Sequence, residues 1–142
     1  MPTLRSITYT STPTRAMSPQ DLESLLAAAR DFNRQNEVTG VLLYSGSHFM
    51  QCFEGPDEAV QKVYARMLAS SKHKDVVVIV DVAIQKRAFG DWLMGSAKAT
   101  ESDLLKLYTA RWTQRSGEAV DSAATSPGME MLQAFWGTRP AY

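Results

Sequence analysis

The order in which apolar patterns change along this chain limits its fold more than any other feature. Runs typical of β-strands occur at residues 4–11, 39–46, 47–54, 76–84 and 91–98. Apolar residues recur at helical spacing between the first and second of these runs, and again between the third and fourth. The order βαββαββ predicts an α+β, ferredoxin-like fold with a mixed five-stranded sheet. Both helices should lie on one face, because right-handed crossovers carry them to the same side.

The two helices have recognisable boundaries. Ser18 followed by Pro19 is typical of an N-cap and a first helical residue, and this helix should end within residues 33–36. The second helix follows Gly55 and Pro56, where Asp57 is a candidate cap, and its apolar residues fall on one face.

The chain divides into a domain and a shorter extension. We assign residues 1–98 to the sheet and its two helices, and 99–142 to a C-terminal helical extension that begins with a capping box at Thr100. We expect the extension to cover the second face of the sheet, towards which Met50 and Cys52 point. Its roughly forty residues are too few for an enzyme domain.

Composition and charge narrow the function further. Fifteen basic residues balance fifteen acidic ones without charge runs, so neither nucleic acid nor an anionic membrane is a predicted partner. No signal-peptide pattern and no stretch of ~20 apolar residues occurs, which favours a soluble cytoplasmic protein. One cysteine and two histidines cannot complete a four-ligand zinc site, and no metal is predicted.

Cys52 is a candidate nucleophile with His48 as its base. Four strand residues would separate their Cα atoms by about 13 Å, which is too far for a hydrogen bond between the side chains. A lone buried cysteine is more often a small hydrophobe.

Gln51, within SHFMQCFEG, stands between Phe49 and Phe53 on one apolar strand face. An unpaired buried amide costs roughly 1–3 kcal/mol, so a partner is expected. Tyr9 can be that partner if its strand is adjacent. The amides of Asn33 and Gln51 could then bind the edge of a flat polar ligand lying between the two helices.

Several motifs, taken in order, resemble the BLUF domain, the blue-light sensor that uses flavin, in its short stand-alone type. The resemblance covers residues ~4–98. The motifs are ITYTS with Tyr9, ARDFNRQNEVTGVLLY with Asn33, HFMQCFEG with Gln51, SSKHKD with His73, and FGDWLM with Trp92 and Met94.

The resemblance implies a noncovalent oxidised flavin, usually FAD, with FMN and riboflavin as alternatives. Asn33 and Gln51 would bind its ring edge between the helices. Tyr9 would supply an electron and a proton through Gln51, which would be left rotated or tautomerised, and absorption would shift to the red. Trp92 and Met94 would respond to this change. No enzymatic activity is implied.

Further contacts are predicted from helix faces, strand alternation and charge. Apolar ring contacts are assigned to Leu25, Phe49 and Met67, and contacts with the phosphate or ribitol end to Arg66, Lys72 and His73.

The output would be a change in association with an unidentified signalling protein. Apolar residues of the last segment (Met129, Met131, Leu132, Phe135 and Trp136) would favour homo-oligomers if exposed. The alternatives are a non-photoactive ferredoxin-like binding module and a small enzyme, either a flavin-dependent reductase or a Cys52 hydrolase.

Overall fold

The computed structural model describes residues 3–90, 92–110, 112 and 126–134. The helices and strands within them are β1 (Leu4–Pro13), α1 (Pro19–Asn36), β2 (Thr39–Tyr44), β3 (Phe49–Pro56), α2 (Asp57–Ala69), β4 (His73–Ile84), β5 (Gly95–Lys98), α3 (Glu101–Thr109) and α4 (Pro127–Ala134). The sheet order is β4-β1-β3-β2-β5. All neighbours are antiparallel except β2 and β5, which are parallel. The predicted mixed α+β sheet is confirmed.

The central strand β3 divides the core into two layers. Phe49 and Phe53 pack among residues of α1, α2 and β1 on one face. Met50 and Cys52 point to the other face, where they pack with buried residues of α3 and α4. The expected covering of the second face is thus observed for the described part of the extension. The domain boundary at residue 98 stays a prediction.

Capping boxes begin α1 and α3 where the sequence predicts them. Ser18 Oγ accepts from the Asp21 N–H at 3.0 Å, and the Asp21 carboxylate accepts from the Ser18 N–H at 3.0 Å. Thr100 and Asp103 form the same pair of hydrogen bonds at the start of α3. These reciprocal bonds satisfy backbone donors that a helix start would otherwise leave unpaired.

The predicted cap of α2 is wrong. Pro56 occupies the N-cap position without a side-chain hydrogen bond, and Asp57 is the first helical residue. The Asp57 carboxylate instead accepts from Arg5 on β1 at 3.2 Å. An acidic side chain in the first turn still interacts favourably with the helix dipole.

The adjoining runs at 39–46 and 47–54 predict a tight hairpin at Gly46 and Ser47, but the connection between β2 and β3 is longer. It spans residues 45–48, and the Ser45 N–H donates to the His48 carbonyl at 3.1 Å. Gly46 has a φ of +99°, a conformation that glycine adopts without a Cβ clash.

The last strand also differs from its prediction of 91–98. It begins only at Gly95, and the chain bends at residues 93 and 94. Trp92 therefore packs with the α3 and α4 side of the sheet, whereas Met94 packs with Leu26 and Leu42 on the α1 side. Alternation along a strand at 91–98 predicts that Trp92 and Met94 lie on one side. This prediction is wrong, because strand alternation does not continue through the bend.

Candidate functional site

A cavity of about 320 Å³ lies between α1 and α2 against the sheet. Its volume is at the small end of the range typical of ligand sites, about 300–1,000 Å³. It is lined by Leu25, Leu26, Ala28, Ala29, Asn33, Leu42, Gln51, Val63, Arg66, Met67, Ala69, Ser70, Lys72, His73 and Met94. Eight residues of the predicted site are among these. The walls are mostly apolar, and two amides, those of Asn33 and Gln51, interrupt them.

A hydrogen-bonded chain runs from β1 to the cavity. Tyr9 lies directly opposite Gln51 in the register of β1 and β3, and its O–H donates to Gln51 Oε1. Gln51 Nε2 in turn donates to Met94 Sδ at 3.6 Å. In this orientation Gln51 presents its carbonyl oxygen to the phenol O–H and its NH₂ group to Met94. The partner expected for Gln51 is present.

Tyr9 is completely enclosed, with an exposed fraction of 0%. Its ring meets Phe53 edge-on, with centroids 5.9 Å apart. Burial raises the pKa of the Tyr9 phenol far above its ordinary value, and Tyr64 adds to this shift. The phenol consequently stays protonated and remains a donor to Gln51 wherever the protein is folded.

Asn33 connects α1 to the segment that precedes β5. Its side chain is buried, and Nδ2 donates to the Leu93 carbonyl at 2.6 Å. One turn earlier, Arg30 Nε donates to the Met94 carbonyl at 3.1 Å. These two bonds place the Asn33 amide and the Met94 side chain at the same end of the cavity.

Basic side chains also line the cavity. Arg66 stacks over the Phe32 ring at 4.6 Å, and Lys72 is exposed. His73 Nδ1 is 3.1 Å from Ser11 Oγ. Burial lowers the pKa of His73, and Lys72 lowers it further, so the imidazole is neutral at neutral pH. Arg66 and Lys72 are thus the positive groups available to a ligand phosphate.

Phe49 and Trp92 are predicted site residues that do not line the cavity. Phe49 is buried beneath it, stacked on Tyr44 at 4.8 Å and edge-on to His73 at 5.9 Å. Trp92 packs beside Phe89 on the other side of the sheet, with ring centroids 6.1 Å apart.

The sequence-based site omitted several apolar lining residues, including Leu26, Leu42 and Val63. Leu42 lies directly opposite Gln51 in the pairing of β2 with β3. Applying strand alternation to β2 as well as to β3 would have identified Leu42 as a lining residue. Leu26 and Val63 are on the buried helix stripes that the periodicity marks.

Neither Cys52 nor His48 has the surroundings of a nucleophile or its base. Burial raises the pKa of the Cys52 thiol to about 12, and the nearby Glu54 adds to the shift. His48 Nδ1 instead lies 2.9 Å from the Glu101 carboxylate on α3. A thiol that remains protonated is a weak nucleophile, which argues against a Cys52 hydrolase.

Comparisons with known proteins identify the family of this chain. The family model for BLUF, sensors of blue-light using FAD, matches residues 4–95. The β subunit of a photoactivated adenylate cyclase from Euglena longa is 38% identical over 96 residues, covering 67% of this chain and 11% of the relative. The solved dark-state structure of BlrB, a BLUF protein, matches with a TM-score of 0.72 and 28% identity over 95% of this chain and 98% of the other.

The ground state of BlsA is also similar, with a TM-score of 0.66 and 28% identity over 73% of this chain and 72% of that one. This chain belongs to the BLUF family, whose domains bind flavin and sense blue light. The family match therefore concerns a photoreceptor domain rather than a catalytic one. Among the described residues, no helix is both long and apolar enough to cross a membrane.

Proposed function

We propose that this protein is a blue-light photoreceptor that holds oxidised FAD noncovalently in the cavity between α1 and α2. The observation that carries the proposal is the chain of contacts from Tyr9 through Gln51 to Met94 at the cavity wall. The apolar walls suit the faces of a planar aromatic ring, and the amides of Asn33 and Gln51 suit its polar edge. When bound, the flavin supplies blue-light absorption and an electron acceptor.

Tyr9 and Gln51 carry the light response. Tyr9 is a donor of one electron and one proton, and its proton can leave along the existing O–H to Oε1 hydrogen bond. Tyr9 regains both before the red-shifted state is complete, so there is no net redox change and only the Gln51 amide is left altered. Gln51 can exchange its donor and acceptor ends without a change of charge, by rotation or tautomerisation. Rotation replaces the Nε2–H that now meets Met94 Sδ by the carbonyl oxygen, and tautomerisation leaves Nε2 with one hydrogen instead of two. Either change alters the contact with Met94, two residues after Trp92.

The remaining contacts divide by chemistry. Leu25 and Met67 contact the ring from the two helices, whereas Arg66 and Lys72 bind phosphate. The neutral His73 serves the ribitol end as a hydrogen-bonding group. Two cations favour FAD or FMN over riboflavin. Phe49 supports the floor of the site from below and is not proposed as a ring contact.

The output is a light-dependent change in association with a downstream signalling protein in the cytoplasm, or with further copies of this chain. Exposed apolar side chains at Leu105 and Met131 support such contacts. Met129 and Leu132 do not, because both are buried against the sheet. Phe135 and Trp136, also predicted for this surface, lie outside the described residues.

The deciding experiment is the visible absorption spectrum in darkness, under blue light and during return to darkness. We expect a flavin band that shifts to the red without bleaching and then recovers. Gln51→Leu should keep the flavin and lose the shift, whereas Gln20→Leu, on the exposed start of α1, should behave like wild type. Protein that takes up no flavin on reconstitution would favour a binding module, and flavin that only bleaches would favour a reductase.

A further inference from the structure

A buried carboxylate lies on the sheet face opposite the cavity. Glu54, near the end of the central strand β3, has an exposed fraction of 0%. Its Oε1 accepts from the Phe89 N–H at 2.9 Å and its Oε2 from the Ala88 N–H at 3.0 Å. Burial raises the pKa of this carboxyl, while the two N–H groups and Arg87 oppose the shift. Such an arrangement is costly unless both oxygens are paired, as they are here.

Arg87 strengthens the same anchor from outside the core. Its Nη1 donates to Thr39 Oγ1 at 3.0 Å and its Nη2 to the Glu37 carbonyl at 2.8 Å. Nη1 also reaches the Glu54 carbonyl at 3.4 Å. The turn at residues 87–89 is thereby fastened to the end of β3 and to the start of β2.

This anchored turn leads directly into the light-sensing site. The Phe89 carbonyl accepts from the Trp92 N–H at 3.2 Å, and the Trp92 carbonyl accepts from the Gly40 N–H at 2.9 Å. The next two residues are Leu93, whose carbonyl binds Asn33, and Met94, whose sulfur binds Gln51.

Residues 87–89 and Met94 are consequently both tied to the same strand. Glu54 binds the 87–89 turn and Gln51 binds Met94, from opposite faces of β3. The two strand residues are three positions apart, roughly 10 Å along the strand. A change at Gln51 can therefore free the Met94 side chain, while Glu54 continues to hold the turn.

We propose that Glu54 is a positioning residue for the photocycle: its carboxylate holds the 87–89 turn so that Met94 and the Leu93 carbonyl stand in register with Gln51 and Asn33. This inference rests on the proposed photoreceptor function. When the 87–89 turn is firmly held, the contacts of Leu93 and Met94 with Asn33 and Gln51 must break together as Gln51 returns to its dark arrangement. When the turn is loosened, these contacts can break one at a time, which lowers the activation barrier to dark recovery.

Glu54→Gln tests the anchor with little change of shape. A glutamine has one acceptor oxygen, so its NH₂ group would face one of the two backbone N–H donors. We expect normal flavin binding and a normal red shift. Dark recovery should be about tenfold faster, because losing about one hydrogen bond lowers the activation free energy of recovery by a corresponding amount. In the flavin-free protein, hydrogen exchange at the Ala88 and Phe89 amides should also speed up. Glu101→Gln, an exposed change, is the matched control.

A double-mutant cycle with Met94→Ala separates positioning from general stability. If Glu54 acts through Met94, Glu54→Gln should have little effect once Met94 has been replaced. The recovery rates of Met94→Ala and of the double variant should then differ by less than about twofold. An equal acceleration in both backgrounds would overturn the inference. So would recovery and amide exchange indistinguishable from wild type in Glu54→Gln.

Arg87→Gln gives a second route if Glu54→Gln does not fold, because it weakens the same turn from the surface. It should also accelerate recovery in a way that depends on Met94, and unchanged recovery would contradict the inference. A wild-type protein without a red shift would overturn the proposed function itself. A wild-type photocycle with unaffected variants would overturn only the role of Glu54.

Discussion

Replacing Tyr9 by phenylalanine removes a single oxygen atom from the centre of the site. The ring is enclosed and its contact with Phe53 is kept, so the loss falls on the hydrogen bond to Gln51 Oε1. Gln51 is half-buried, so leaving its acceptor without a donor costs about 1 kcal/mol, the lower end of the range for buried groups. With a urea m-value of about 2 kcal/mol/M, this corresponds to a midpoint lower by about 0.5 M. The photocycle should be lost as well, because phenylalanine carries no transferable proton.

Equilibrium urea unfolding of the flavin-free protein isolates the stability effect from flavin binding. Tyr44→Phe is the matched control, because its O–H makes a 3.2 Å bond to the Gly46 carbonyl at the surface. This control should change the free energy of unfolding by no more than about 0.5 kcal/mol. Equal midpoints for the two variants would refute the importance of the Tyr9–Gln51 bond. A normal red shift in Tyr9→Phe would refute the role of the phenol.

Three further predictions concern the cavity, the second layer and pH. Ala29→Trp should fill the cavity and reduce the flavin bound per protein by at least about tenfold, because several contacts with the ligand would be lost. Ala27→Trp, on the exposed side of α1, should leave flavin binding unchanged. The ratio of flavin to protein absorbance measures both effects. Leu107→Ala, at 0% exposure, should lower the free energy of unfolding by about 2–5 kcal/mol. Leu105→Ala, at 62% exposure, should change it by no more than about 0.5 kcal/mol, and equal losses in urea unfolding would argue against the packing of α3. Burial lowers the pKa of folded His73 below its ordinary 6.5, so the unfolded chain binds this proton first and stability falls as pH drops below that value. His73→Gln should flatten this part of the stability profile, and an unchanged profile would contradict the assignment.

The centre of the site could be predicted because local patterns determine it. Strand alternation separates Gln51 from Met50 and Cys52. It makes Tyr9 a candidate partner of Gln51 if β1 and β3 are adjacent, and the register shows that they are. The N-caps at Ser18 and Thr100 were predictable for the same reason, since each depends on residues within one turn.

The segment between β4 and β5 could not be predicted, because distant residues set its path. The bend at 93–94 is held by side chains of α1 and by Gln51 of β3. The sequence-based prediction treated 91–98 as one continuous strand, and it therefore placed Trp92 on the wrong face of the sheet. No role is predicted for Glu54 from the sequence alone. Its burial depends on N–H groups more than thirty residues away, and no local pattern carries that information.

The placement of β4 and β5 at opposite edges of the sheet has a consequence for how the protein is made. The connecting segment must cross about four strand spacings, roughly 19 Å, before β5 can pair with β2. During synthesis, β1, β2 and both long helices emerge from the ribosome well before Met94, which completes the cavity wall. A nascent chain therefore cannot capture its cofactor until almost the whole sheet has been translated, and cofactor supply acts on a nearly finished protein rather than guiding its early folding.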